Sequence, residues 1–318
     1  MSLPTPPVAS PPFAAIQNGN GISLIYQSSG DQHLWMVTSS SAPTGDPGDW
    51  SNLLPLPLGI NVGSSPAAVT VDGTVWILYQ GSGGGNLWYA NNPIWSNFQI
   101  PISGTATNIS PGLTQVNGAL YAPFVSSGNG LYITQAYTLD PPPSDPTQPP
   151  ISWQQPFLLS VNGAPVTSDF TPAVATEGGQ LCIVCGSASN LSAIQASIGT
   201  TWTSTSTSLP FTTSCPPSLV NVAGTFYLFY LGSGSTISYM TSGDGQSWGG
   251  DPFSLPNPPI GTNFSPVAVA LEESLYIFYA SALNDGTIWY TWDTPNSPIG
   301  WQGPYQLPPD GIRFGMQP

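Results

Sequence analysis

Lysine is absent from this 318-residue chain, and Arg313 and His33 are its only basic side chains. Charged residues make up 5% of it, against about 25% in ordinary soluble domains. Asp and Glu together number 15, so the net charge is −14. A surface this poor in cations cannot neutralise rows of phosphates, which argues against nucleic acid as a partner. It also offers no attraction to an anionic membrane surface. No apolar run approaches the roughly 20 residues that span a bilayer, so no membrane insertion is expected. The opening MSLPTPPVAS has neither a basic n-region nor a long apolar h-region, so no secretory signal is visible. The expectation is a cytoplasmic or non-classically secreted protein, or a mature chain. With no Lys, and no Arg before position 313, the chain should resist trypsin.

Cysteine is scarce too. Cys182, Cys185 and Cys215 are odd in number and do not form a disulfide framework. Cys182 and Cys185 are spaced C-x-x-C, but inside LCIVC, which reads as a strand. Residues three apart on a strand point to opposite faces, so both read as small buried hydrophobes.

What is present is aromatic and repetitive. The chain holds 11 Trp, 13 Tyr and 12 Phe, enough to build a core. A unit that opens on Ser-Pro or a variant and closes on Trp occurs six times. The units run from Ser10 to Trp50, Ser65 to Trp95, Ser110 to Trp153, Thr171 to Trp202, Cys215 to Trp248 and Ser265 to Trp301. With their connections they divide a single 1–318 domain into repeats of about 10–64, 65–109, 110–170, 171–214, 215–264 and 265–318. GIRFGMQP (311–318) resembles GTNFSP (261–266), the run-in to the sixth unit. The insertion LDPPPSDPTQPP (139–150) reads as a surface loop of polyproline character.

The units align in columns. Second strands read ISLIYQ (22–27), VWILYQ (75–80), LYAPFV (120–125), LCIVCG (181–186), FYLFYL (226–231) and LYIFYA (275–280). Third strands read HLWMV (33–37), NLWYA (86–90), GLYIT (130–134), NLSAI (190–194), TISYM (236–240) and TIWYT (287–291). Gly-rich turns separate first from second strands, a hairpin signal. No segment sustains a 3.6 period. Both faces of the second strand are apolar. Tyr26, Tyr79, Phe124, Cys185, Tyr230 and Tyr279 share one face; Trp76, Tyr121, Cys182, Tyr227 and Tyr276 share the other. A sheet buried on both sides needs a neighbouring sheet on each, which predicts an all-β, six-bladed β-propeller of four-stranded antiparallel blades. Ser-Pro should mark entry to the innermost strand, and the closing Trp should pack between adjacent blades.

The repeat SPa–alternation–turn–LYIFY–GSG–LWY–DG–W resembles the six-bladed lectin-type propellers of fungi and bacteria. In length and blade number the chain is similar to the Aleuria-type fucose lectins. SGDGQSW (242–248) is similar to an Asp-box, one residue short between Asp244 and Trp248. The resemblance implies a sugar-binding propeller, yet those lectins use an Arg and a Glu in each occupied blade. Here the one Arg lies outside the strand columns, and Glu177, Glu272 and Glu273 fall at first turns, so that site does not carry over. The arginine cluster of the sialidases and the D-x-D-x-D-G loops of calcium-binding propeller lectins are also missing.

Catalytic chemistry finds little support. A Ser-His-Asp triad would need His33, which sits in a polar turn. Paired carboxylates could in principle hydrolyse a glycoside, but the adjacent Glu272 and Glu273 would point to opposite strand faces or lie on a turn, and they read as a solvated turn. Asp46, Asp49, Asp72, Asp244, Asp285 and Asp293 read as turn formers. No cluster has metal-ligand spacing, and the glycines lack the Lys and helix of a phosphate loop. Neither a cofactor nor an enzyme is expected.

The remaining signal is the third-strand column of Trp35, Trp88, Tyr132 and Trp289, with Tyr89, Tyr239 and Tyr290 in the next column. Sugar rings stack C–H faces on aromatics and give their hydroxyls to nearby polar groups. Gln27 and Asp31, Gln80 and Asn86, Asn129, Asn284 and Asp285 flank the column. The candidate ligand-binding set is therefore Trp35, Trp88, Tyr132, Trp289, Gln27, Gln80, Asn86 and Asp285. Repeated around a ring, such sites would hold neutral glycans or glycoconjugates by avidity. Units four and five carry Ser192 and Ser238 at the aromatic position, so only some blades could be occupied. Aromatics on third strands also fill the space between blades. A protein-interaction or structural propeller therefore stands as the alternative, with a hydrolase in the central channel behind it. Self-association is left open.

Overall fold

The computed structural model describes residues 13–307, apart from 28–33, 51–53, 57–61, 83, 94, 102–106, 108, 140–144, 146–148, 198–202, 256–261, 282–286 and 296–299. Asp31, His33, Trp202, Asn284, Asp285 and Arg313 lie outside the described residues.

Six antiparallel sheets follow one another along the chain, each from a contiguous segment. Blade 1 is Phe13–Asn18, Gly21–Gln27, Leu34–Thr38 and Leu54–Pro55. Blade 2 is Ala67–Val71, Thr74–Gln80, Leu87–Asn91 and Phe98–Gln99. Blade 3 is Thr114–Val116, Ala119–Val125, Leu131–Thr138 and Ile151–Trp153. Blade 4 is Ala173–Glu177, Gln180–Ser187, Asn190–Ser197 and Thr203–Ser208. Blade 5 is Ser218–Val222, Thr225–Leu231, Ile237–Ser242 and Gly249–Ser254. Blade 6 is Val267–Leu271, Ser274–Ala280, Ile288–Asp293 and Gln302–Gln306. Blade 3 departs from four strands: Phe157–Leu158 also pairs with its third strand, beyond Ile151–Trp153. A two-stranded hairpin, Ser160–Val161 with Ala164–Pro165, follows it. Among the described residues the only helical turns are Pro47–Asp49 and Ser233–Ser235.

The innermost strands touch in order around a closed ring, with blade 6 meeting blade 1. Asp72–Gly73 and Asn117–Gly118 turn from first to second strand with both residues at positive φ, as a two-residue hairpin requires. Ser65–Pro66 and Ser265–Pro266 directly precede innermost strands, and Ser110–Pro111 stands two residues before one. In blade 5 the register moves by one. Ser218 pairs with Phe229 as Val267 pairs with Phe278, so Pro216, not Cys215, stands at the Ser-Pro serine position. Cys215 takes the place of Phe264 and is buried.

Each second strand buries both faces, in opposite gaps. Tyr26, Tyr79, Phe124, Cys185 and Tyr279 pack against the preceding blade; Trp76, Tyr121, Cys182, Tyr227 and Tyr276 pack against the following one. Cys182 and Cys185 thus lie in separate clusters, with burial pushing both thiols up to about 12. Trp50, Trp95, Trp153, Trp248 and Trp301 each pack against the preceding blade. The next-column tyrosines meet them: Trp153 lies 5.7 Å from Tyr89, Trp301 5.8 Å from Tyr239, and Trp50 5.9 Å from Tyr290. Tyr89 and Tyr290 are therefore interblade packing.

Candidate binding gaps between the blades

The aromatic column sits directly across from the second-strand aromatic of its own blade. Tyr26 pairs with Trp35, Tyr79 with Trp88, Phe124 with Tyr132 and Tyr279 with Trp289. A direct antiparallel partner shares the same face, so each pair points together at the preceding blade. Trp35 faces blade 6, Trp88 blade 1, Tyr132 blade 2 and Trp289 blade 5. The second-strand member is fully buried while all four third-strand rings are half-buried. Tyr132 stacks on Phe124 at 5.8 Å and 21°.

The glutamines belong to the opposite face. Gln27 follows Tyr26 and so points toward blade 2, where its Nε2 donates to Val62 O at 2.7 Å. Val62 bridges to Gly81, and a side chain at Gly81 would collide with the Trp88 indole. Gln80 repeats this one blade on: its Nε2 donates to Thr107 O, and Thr107 bridges to Ser126 at the base of the turn before Tyr132. The structure therefore separates Gln27 from Trp35 and Gln80 from Trp88. It turns Gln27 toward the gap that Trp88 faces and Gln80 toward the gap that Tyr132 faces, across blade boundaries. Strand alternation carried that signal. Asn86 is half-buried two residues before Trp88, and its carbonyl accepts from Gly81 N at 3.0 Å. Asn129 is exposed at φ +62°, its amide donating to Asp169 at 3.0 Å.

The gap between blades 6 and 1 and that between blades 5 and 6 have no such glutamine, since Ala280 and Leu231 occupy its position. Nε1 of Trp35 and of Trp289 is buried with no hydrogen-bond partner among the described residues. A buried donor left unpaired costs about 1–3 kcal/mol. In the gap between blades 5 and 6, Oδ1 of Asp293 is also buried and unpartnered, and burial raises that carboxyl's pKa.

The two remaining gaps are closed by the chain itself. In blade 5, Tyr230 pairs with Ser238 instead of Trp. Phe211, from the connection between blades 4 and 5, stacks on Tyr230 at 3.7 Å and 16°. In blade 4, Cys185 pairs with Ser192. The neighbouring space holds Leu159, Phe157, Val161 and Val166 from the segment that ends blade 3. The strand columns do not reveal these connection residues, because they enter from outside the repeat's register.

The gap between blades 4 and 5 is also bound by the Asp244 turn. Its carboxylate accepts from Ser247 N at 2.6 Å, Gln246 N at 2.8 Å, Ser247 Oγ at 2.8 Å and Ser242 Oγ at 2.9 Å. The Ser247 and Gln246 amides hold it well below the usual carboxylate range. Trp248 Nε1 donates to Gly245 O at 3.1 Å, and Gln195 of blade 4 donates to Asp244 O at 2.8 Å. This loop fastens two blades, and its carboxylate is saturated by donors. Among the described residues no group of three His, Cys, Asp or Glu side chains could hold a metal ion.

No protein-family model matches the chain, and no curated protein sequence matches it. Solved structures do match. The lectin of Aleuria aurantia, described as a six-bladed β-propeller with a novel fucose recognition mode, is 12% identical, with 95% of this chain and 98% of that one covered, at a TM-score of 0.63. The BP39L lectin of Burkholderia pseudomallei is 15% identical over 94% of this chain and 83% of its own, at 0.60. The SapL1 lectin, in complex with α-methyl fucoside, is 15% identical over 94% and 97%, at 0.57. At such identities the likeness is one of fold.

Proposed function

We propose that this six-bladed propeller is a non-catalytic lectin that holds neutral glycans in the gaps bearing Trp35, Trp88, Tyr132 and Trp289. The observation that carries the reading is the contrast among the gaps. Four present a half-buried ring at one register, and the two that lack it are filled by Phe211 and by the end of blade 3. A ring serving only as packing would be buried like its cross-strand partner. Two recognition chemistries follow. Gln27 with Trp88, and Gln80 with Tyr132, offer an aromatic face beside an anchored amide whose carbonyl oxygen can accept from a sugar hydroxyl. Trp35 and Trp289 offer a half-buried aromatic face without a neighbouring glutamine. Asp285, four residues before Trp289 in the sequence, lies outside the described residues.

The neighbouring lectins are described with fucose. With no Arg in the strand columns, the broader class of neutral sugars is the proposal for this chain. Single sites of this kind are weak, and several on one ring raise apparent affinity about 10²–10⁴-fold toward a multivalent surface. A neutral-glycan array tests the reading, with Trp289→Ala as the companion variant. Binding by the wild type that weakens in the variant, with the same circular dichroism, is the expected result. No binding to any neutral glycan would return the chain to the protein-interaction reading.

A further inference from the structure

The outer strands differ in how they treat the edge that no described strand pairs with. In blade 4, Leu209 N–H donates to Leu191 O at 2.9 Å just past the outer strand, and Ser208 faces Ser192 in register. Antiparallel bonding alternates. Thr207, Thr205 and Thr203 therefore turn their backbone groups into the sheet, and Ser208, Ser206 and Ser204 turn theirs outward. The same bond recurs from Leu56 to Leu34, Leu159 to Leu131, Leu255 to Ile237 and Leu307 to Ile288. Counting back from those residues, outward positions hold Pro55 and Pro156, while Pro252 and Pro304 stand where the register of their outer strands shifts. Blade 2 has an outer strand of two residues, Phe98–Gln99. Proline and shortness both keep an edge from pairing with another strand. Blade 4 has neither: Thr203–Ser208 is a six-residue edge without proline or charge.

We propose that this edge is a self-association surface, where a second copy of the chain pairs antiparallel across a two-fold axis. The sequence TSTSTS is self-complementary in that arrangement. With the outward-turned serines opposed it sets Ser opposite Ser and Thr opposite Thr, and short hydroxyl pairs hydrogen-bond across strands. Two chains of net charge −14 repel, and this strand lets them meet with no carboxylate opposed. Both faces of the strand are held: Ser204 Oγ donates to Ser160 O of the blade 3 hairpin, and the Gln246 amide of blade 5 donates to Thr205 Oγ1. The edge is thus stiffened from either side, with Ser206 and Ser208 exposed. Six residues a side make a small interface, so association is weak and concentration-dependent.

Sedimentation velocity of the full chain from about 1 µM to about 1 mM tests this. The wild type should pass from monomer to dimer. Ser206→Pro removes an outward N–H that the sheet does not use, and should stay monomeric. Ser206→Ala leaves the backbone intact and should still dimerise. Ser206→Glu places like charges near the two-fold axis and should raise the dissociation constant at least tenfold; it carries the test if the proline variant fails to fold. A wild type monomeric throughout, or a dimer unchanged by both Ser206→Pro and Ser206→Glu, would overturn the proposal. Association needs no glycan, so its failure leaves the lectin reading untouched.

Discussion

The gap between blades 1 and 2 and the gap between blades 4 and 5 start from the same framework. Each receives a buried second-strand tyrosine, Tyr79 or Tyr230, aimed at the preceding blade. In the first, the residue across the ladder is Trp88, half-buried and attended by the anchored Gln27. In the second it is Ser238, and Phe211 arrives from a connection to cover the tyrosine. One cross-strand position therefore distinguishes a gap that keeps a half-buried aromatic face from one that is sealed. The sealed gap also carries the Asp244 turn, with four donors on one carboxylate. Sealed gaps are filled by side chains from the connections, while the four aromatic gaps keep half-buried rings packed against the core.

The largest expected effect comes from removing that distinction. Replacing Trp35, Trp88 and Trp289 together by Ala should lower binding to a glycan-coated surface by about 10²-fold or more, since avidity is lost with the sites. Surface plasmon resonance on folded protein measures it. Unchanged binding would make these rings plain core. The reverse experiment unseals a gap. Phe211→Ala alone should cost about 2 kcal/mol in urea unfolding, from lost burial and stacking. Phe211→Ala with Ser238→Trp should raise the number of bound sugars per chain by one in calorimetry.

Smaller effects probe each gap's carboxylate. Asp244 is held below the ordinary range by the Ser247 and Gln246 amides. Its stabilising contribution is present above the unfolded carboxylate pKa of about 3.9 and is lost as pH falls through the lower folded value. Asp244→Ala should lower Tm at neutral pH and flatten the loss of stability seen on acidification below about pH 4. Asp293 has the opposite sign. Burial raises its pKa, so its contribution is greatest below the ordinary carboxylate range and falls as pH rises through the folded value. Asp293→Asn should raise Tm slightly at pH 7, with the gain vanishing in acid. A fall in Tm would assign the carboxylate a partner in the gap.

The architecture was legible because every level agreed. The two apolar faces of LYIFY-like strands demanded a sheet on each side, and the recurring Trp marked where adjacent blades meet. The opposed faces of Cys182 and Cys185 followed from strand period alone. The aromatic column was legible as a column. Its polar partners were not, because Gln27 lies near Trp35 in sequence but serves the next gap, and only period-two alternation traced across the blade boundary reveals it. Phe211 and the hairpin at 160–165 were invisible for a different reason: a connection's path between blades depends on tertiary packing, and no periodicity within a strand encodes it.

The most direct test is a crystal of the wild-type protein soaked in a mixture of neutral monosaccharides. The account predicts sugar density against Trp35, Trp88, Tyr132 and Trp289, and none beside Ser192 or Ser238. Sugar in the two sealed gaps, or none in any of the six, would contradict it.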